Sequence, residues 1–94
     1  MPHKYSKEEA RGIFKNACRD GSVVFPKYAR KKMRERDIDN NDILKLAKAG
    51  MVANAPEMDI KTNEWTYRIE SDELKVVFVI PSPSMVRLIT VFPD

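Results

Sequence analysis

Hydrophobic residues in the first half of the chain recur at the three- and four-residue spacing of amphipathic helices. The segments with this spacing are residues 6–20, 26–37 and 41–49. Ser6, with Glu9 three residues later, forms a capping-box pattern at the start of the first segment, and Gly21 is suited to end it. Pro26 favours the start of the second helix, and Gly50 favours the end of the third. The pattern therefore predicts three N-terminal helices.

From Met51 onward the pattern changes to the alternation typical of β-strands. The segments concerned are residues 51–55, 65–71, 74–81 and 85–92, and a short edge strand is also predicted at residues 22–25. The breaks at residues 71–73 and 81–84 are short enough for hairpin turns, so the last three strands should form an antiparallel meander. Because residues 74–80 are apolar on nearly both faces, this strand should lie in the centre of the sheet.

The length and composition predict a single folded domain. A chain of 94 residues supports one hydrophobic core, and 43% hydrophobic with 33% charged residues is a globular composition. The predicted fold is α+β, with one domain over residues 1–94, in which two to three N-terminal helices pack on a largely antiparallel C-terminal sheet.

Basic residues are concentrated in the second predicted helix. Residues 27–36 contain six of the seventeen lysines and arginines but one acid, Glu35, whereas the whole chain has a net charge of +3. Helical spacing places Ala29 and Met33 on an inward side. It places four cations together on an outward side: Lys27, Arg30, Lys31 and Arg34. A solvated surface helix and a helix that contacts phosphates both fit this pattern.

The sequence favours neither a disulfide nor a metal site. Cys18 is the single cysteine and lies in the apolar pattern of the first helix, which predicts a buried structural thiol. His3 is the single histidine and has no Cys or His at ligand spacing, so we expect no metal and no cofactor. The chain has no signal peptide and no apolar run of membrane length, which predicts a cytoplasmic protein that does not enter membranes.

Two arginines fall on strands. Simple alternation places Arg68 and Tyr67 on opposite faces of the sheet. It places Arg87 on the same face of the last strand as the apolar residues Ile89 and Val91. A charge that interrupts an apolar face either pairs with an acid, such as Glu64 or Glu70, or acts on a ligand. The sequence leaves both alternatives open.

The basic helix and the strands also carry a longer motif. It reads Tyr28-Ala29-x-x-Lys32-Met33-x-x-Arg36-x-Ile38, followed by Asp42-Ile43, Tyr67-Arg68 and a terminal Ile89-Thr90-Val91-Phe92. This pattern resembles an uncharacterised bacterial and phage domain family whose signature is His-Ala-x-x-Arg-Met-x-x-Arg-x-Ile and whose last strand ends Ile-Thr-Val-Tyr. That family is similar to the BrnT and RelE superfamily of small ribonuclease toxins. The resemblance implies a curved antiparallel sheet, RNA cleavage without metal, and a cognate antitoxin as protein partner.

The resemblance and the charges together give the candidate residues. The expected catalytic residues are Tyr28, Lys32, Arg36, Arg68 and Arg87, and the expected nucleic-acid-binding residues are Lys27, Arg30, Lys31 and Arg34. RNA cleavage at the ribose 2′-hydroxyl needs a base, an acid and a cation that stabilises the phosphorane. The signature histidine is Tyr28 here, and the first signature arginine is Lys32. Tyrosine is a weak base at neutral pH, and lysine lacks the two-pronged donor geometry of arginine.

Three functions remain open at this point. The first is a metal-independent endoribonuclease toxin, with Tyr28 or Tyr67 as proton carrier, although a half-buried core role is expected for each tyrosine. The second is a non-catalytic module of the same fold that binds nucleic acid or protein in phage or mobile-element regulation. The third is a helix-turn-helix DNA reader over residues 28–50, which the long acidic corner between the helices disfavours.

Overall fold

The computed structural model describes residues 3–93 and shows three helices packed on one face of a five-stranded sheet. The helices are α1 (Lys7–Asp20), α2 (Lys27–Glu35) and α3 (Asn40–Ala49). The strands are β1 (Val23–Val24), β2 (Glu57–Asp59), β3 (Glu64–Glu70), β4 (Leu74–Ser82) and β5 (Met85–Pro93). The sheet is open, with the order β1-β5-β4-β3-β2, and only the β1–β5 pair is parallel. The predicted α+β fold, the antiparallel meander and the central position of β4 are confirmed.

The helix boundaries follow local capping chemistry. Ser6 Oγ accepts a hydrogen bond from the Glu9 amide at 3.1 Å, and the Glu9 carboxylate accepts one from the Ser6 amide at 2.9 Å. The hydrogen bond from the Ser6 amide, followed by the interaction with the Ser6 side chain, lowers the pKa of Glu9. Asp39 and Asp42 form the same reciprocal pair at the start of α3, with both distances 3.0 Å. Gly21 ends α1 with φ 75°, a conformation that glycine adopts without strain.

The second helix was predicted to end at about residue 37, and α2 ends two residues earlier, at Glu35. Asp37 has φ 56°, which takes the chain out of the helix. The amide of Asp37 donates to the Arg34 carbonyl, and the amide of Ile38 donates to the Met33 carbonyl at 2.8 Å. This is the Schellman arrangement, in which Ile38 returns to pack on the core.

The helix-covered face of the sheet holds the core. Phe14 of α1 and Phe78 of β4 are both fully buried, with ring centroids 4.9 Å apart, and Ala29 and Met33 bury the inward side of α2. A register shift between Val77 and Phe78 adds one residue to β5. Val91 therefore faces the core, whereas Phe92 lies with Lys75 on the uncovered face. The alternation predicted for β5 is wrong beyond this bulge.

The strand predicted at residues 51–55 is also wrong. Met51 forms only an isolated bridge with Glu70, and the strand that pairs with β3 is β2. The hairpin turn between β2 and β3 explains the difference. Asp59 accepts hydrogen bonds from the amides of Lys61 and Asn63, and Asn63 adopts φ 57°. This turn fixes Glu57–Asp59 opposite Glu64–Thr66 and leaves residues 52–56 as a loop.

Candidate nucleic-acid interface

The outward side of α2 is a surface of free cations. Its four predicted nucleic-acid-binding residues, Lys27, Arg30, Lys31 and Arg34, are all exposed. Within the described range 3–93, none of them forms an ion pair or a side-chain hydrogen bond. Because Ala29 and Met33 anchor the opposite side of the same helix in the core, the four cations are held on a fixed element. We call them the α2 basic surface.

Tyr28 and Lys32 lie beside the α2 basic surface, one helical turn apart. Tyr28 is 59% exposed, so the half-buried core position expected for it is wrong. The Lys32 ammonium lies 5.4 Å from the centroid of the Tyr28 ring and 3.5 Å from a carboxylate oxygen of Glu35. Because the Tyr28 ring is exposed, it is free to stack on a base.

Arg36 connects α2 to the end of β5. Its Nη1 donates a hydrogen bond to the carbonyl of Val91, and its guanidinium carbon lies 5.8 Å from the centroid of the Phe92 ring. The parallel partner β1 covers β5 only at Val86 and Arg87, so the outer edge of β5 is unpaired at Val91. Arg36 therefore has a structural role at this edge, where it satisfies an otherwise unpaired carbonyl.

Arg87 is paired with an acid. Its Nη2 donates to both carboxylate oxygens of Glu64, at 2.8 and 3.1 Å. Arg87 lies beside Val79 on the central strand, and Glu64 is on the strand beyond, so the ion pair crosses over Val79. Val79 is only 1% exposed although no helix covers this face. The pairing alternative left open by the sequence is therefore the one observed.

Of the two arginines on the sheet, Arg68 has the fewer hydrogen bonds. Its Nε is buried and has no hydrogen-bond partner among the residues that the structure describes. It lies next to Val77 in the sheet and lines a cavity of about 70 Å³ with Asn54, Glu57 and Thr66. An unpaired buried donor typically costs about 1–3 kcal/mol, so an anion that accepts from Arg68 would recover this energy.

The five expected catalytic residues form two groups. Arg68 and Arg87 share the uncovered face, and the strand spacing places their Cα atoms roughly 12 Å apart. Tyr28, Lys32 and Arg36 follow one another on α2, at the border of β5. Arg36 lines a different cavity, of about 660 Å³, between α3 and the β3–β4 turn. The structure therefore does not bring the five residues together at one site.

Two other candidate groups are withdrawn from solvent, Tyr67 almost completely and Cys18, which was predicted to be buried, only in part. Tyr67 is 2% exposed, its ring stacks on Phe78, and its hydroxyl accepts a hydrogen bond from the Tyr5 amide at 2.9 Å. Burial raises the pKa of Tyr67, which disfavours its use as a base. Burial also raises the pKa of the Cys18 thiol to about 11, so the reactive thiolate is scarce at neutral pH. Residues 3–93 contain no cluster of three His, Cys, Asp or Glu side chains that could hold a metal.

The sequence patterns did not predict a group of aromatic rings that lies near the N-terminus. The centroid of the His3 ring lies 4.4 Å from that of the Tyr5 ring. Tyr5 is fixed against the sheet by its hydrogen bond to Tyr67, and Lys4 lies over the ring of Trp65. In the sequence, His3 and Tyr5 alternate with Lys4 and Ser6, and this alternation could have indicated that the two rings lie on the same side of the chain.

Comparison of the chain with protein-family models, with curated proteins and with solved structures found no match. None of the helices in residues 3–93 has the length and apolar character needed to cross a membrane. The arguments about function below therefore rest on the residues and contacts of this chain.

Proposed function

We propose that this protein is a metal-independent endoribonuclease of the toxin-antitoxin type, which acts in the cytoplasm and is neutralised by an antitoxin protein. The observation that carries the proposal is the α2 basic surface. Its four cations have no partner within the described residues and lie together on one anchored helix. Free cations at fixed spacing suit the phosphates of a nucleic-acid backbone, whose binding releases counterions.

The chemistry that these residues could perform is cleavage by the ribose 2′-hydroxyl. The 2′-oxygen attacks the adjacent phosphorus as its proton passes to a base, the bond to the 5′-oxygen breaks, and that oxygen takes up a proton. The products are a 2′,3′-cyclic phosphate and a 5′-hydroxyl, so no external nucleophile is required. In this proposal Tyr28 exchanges the protons, and Lys32, one helical turn away on α2, stabilises the charge on the phosphorane.

The direct test is an RNA cleavage assay in the presence of a chelator. We expect cleavage to persist and to leave 2′,3′-cyclic or 3′-phosphate ends. Lys32→Ala should lower the rate by roughly 100- to 1,000-fold, because one group that stabilises transition-state charge typically contributes that much. Tyr28→Phe removes proton transfer but keeps stacking, and Tyr28→His tests whether a better base raises the rate. Lys15→Ala, at an exposed lysine of α1, is the matched control and should leave the rate unchanged.

The alternative is a non-catalytic module that binds nucleic acid or protein, and two observations favour it. Glu64 already accepts both hydrogen bonds from Arg87, and Tyr28 occupies the position of the signature histidine. If expression of the chain is harmless to cells and RNA stays intact with and without divalent metal, the ribonuclease proposal fails. RNA binding that persists under those conditions would support the binding module.

A further inference from the structure

The two central strands separate at one end of the sheet. The β3–β4 pairing ends at Thr66 and Val79. Beyond that point β3 continues to pair with β2 as far as Glu64, while β4 continues to pair with β5 as far as Ser82. A cleft of about 350 Å³ opens between them. We call it the fork cleft, and it lies at the opposite end of the sheet from the β3–β4 turn.

Aromatic rings line one side of the fork cleft. Residues of the N-terminal segment, His3 and Tyr5, lie beside Trp65 and Tyr67 of β3. The ring of Tyr5 lies 6.4 Å from that of Tyr67, and the hydrogen bond between the Tyr5 amide and the Tyr67 hydroxyl holds the segment in place. Two prolines of the β4–β5 hairpin, Pro81 and Pro83, contribute to the other side. The cleft therefore has a mixed polar and apolar lining, in which His3, Tyr5 and Trp65 supply the rings and the buried Tyr67 supports Tyr5.

The charges around the fork cleft favour an uncharged ring attached to an anionic chain. The Lys4 ammonium lies 4.8 Å from the centroid of the Trp65 ring, where it supplies a cation at the rim. Glu64 also lines the cleft, but both of its carboxylate oxygens accept hydrogen bonds from Arg87. Because Arg87 neutralises Glu64, this carboxylate does not favour a cationic ligand in the cleft.

We propose that the fork cleft holds an unpaired nucleobase of single-stranded RNA. This inference rests on the proposed function and specifies its substrate as single-stranded. Single-stranded RNA is recognised mainly by stacking of splayed bases on aromatic side chains, and such stacking tolerates any base because every base has a π face. The volume of the cleft lies within the ordinary range for small-ligand sites. Aromatic grooves also take proline-rich peptides, which is the main competing occupant in the test.

Trp65 gives a direct readout, because it is the only tryptophan in the chain. The probe is a short 2′-O-methyl oligoribonucleotide, which the protein cannot cleave because the 2′-hydroxyl is blocked. The comparison is an abasic oligomer of the same length and charge. We expect the first to quench Trp65 fluorescence saturably and the second to leave it unchanged. Equal quenching by both, or no quenching by either, would overturn the inference, as would saturable quenching by a proline-rich peptide alone.

Variants assign the effect to the rings. His3→Ala changes an exposed ring and should weaken binding of the labelled oligonucleotide by roughly 5- to 150-fold, the range for loss of one stacked base. Trp65→Leu should do the same, and Trp65→Phe should restore most of the affinity because a ring is retained. Circular dichroism checks that each variant is folded. If His3→Ala and Trp65→Leu both bind as tightly as the wild type, the cleft does not hold a base.

The outcomes separate this inference from the proposed function. If the abasic oligomer binds as tightly as the oligonucleotide with bases, the α2 basic surface still binds backbone and only the fork cleft inference fails. If Lys31→Glu with Arg34→Glu leaves RNA affinity unchanged but Trp65 is still quenched by bases, the fork cleft is supported and the proposed role of α2 fails.

Discussion

The two faces of the sheet are built differently. The helix-covered face buries apolar side chains, including Phe78, Leu88 and Val91, all of which are fully buried. The uncovered face carries charges on β3, β4 and β5, with Arg87 held by Glu64 and Lys75 close to Glu70 at 3.5 Å. The covered face therefore stabilises the fold, whereas the uncovered face pairs Arg87 and Lys75 with acids and leaves Arg68 without an ion pair among the described residues. Most of the available positive charge lies on α2, so a count of basic residues does not indicate which of them can bind a ligand.

The largest expected effect on stability is on the covered face. Phe78→Ala should lower the free energy of unfolding by about 3–5 kcal/mol, because it removes a fully buried ring and leaves a cavity. Val77→Ala, one residue earlier and on the uncovered face, is the control and should cost about 1 kcal/mol. Chemical denaturation measures both. If both variants lost the same free energy of unfolding, the two faces would contribute equally to stability, contrary to the difference described above.

Gly50 tests how tightly α3 packs on the covered face. A Cβ at this position would lie 2.6 Å from the Leu46 carbonyl oxygen and 2.9 Å from Cγ1 of Ile69. Gly50→Ala should therefore destabilise the protein by about 1–3 kcal/mol. At Gly12 in α1 an added Cβ would meet nothing within 4 Å, so Gly12→Ala should stabilise it by about 0.4–1 kcal/mol. Thermal denaturation that shows the same sign for both variants would contradict the packing described.

The Arg87–Glu64 pair gives the smallest stability effect. A double-mutant cycle with Arg87→Met and Glu64→Gln should give a coupling energy of about 0.2–1 kcal/mol, because both side chains are partly exposed, 39% and 30% respectively. The coupling should decrease at high salt. If it is zero at low salt, the ion pair is not formed in solution, and Arg87 is available to a ligand as the catalytic hypothesis requires.

The sequence predicted the fold well where local chemistry decides it. Ser6 with Glu9, Gly21 and the apolar run of β4 each specify one structure through capping, backbone freedom or burial on both faces. The errors fall where pairing between distant segments decides. The strand predicted at residues 51–55 was displaced by β2, because the Asp59 turn sets the register of a hairpin that periodicity alone does not reveal.

The candidate site was less predictable for the same reason. The bulge in β5 exchanges the faces of Val91 and Phe92, and no residue type in that strand signals it. The sequence indicated that Arg87 either pairs with an acid or acts on a ligand. Its pairing with Glu64 depends on the positions of β3 and β5, which are separated by one strand in the sheet. The outward α2 cations were predicted correctly as exposed, because helical spacing alone determines their side.

The most direct test of the central claim is RNA affinity as a function of salt. Four phosphate contacts from the α2 basic surface predict a slope of log affinity against log salt of about −3 for a single strand. Lys31→Glu with Arg34→Glu should abolish most of the binding without loss of stability. Lys45→Glu with Lys48→Glu has the same spacing and charge change on α3, and it should leave the affinity within about twofold of wild type if contact with α2 decides binding. Equal weakening by both double variants, or no weakening by the first, would contradict the claim that α2 holds the RNA.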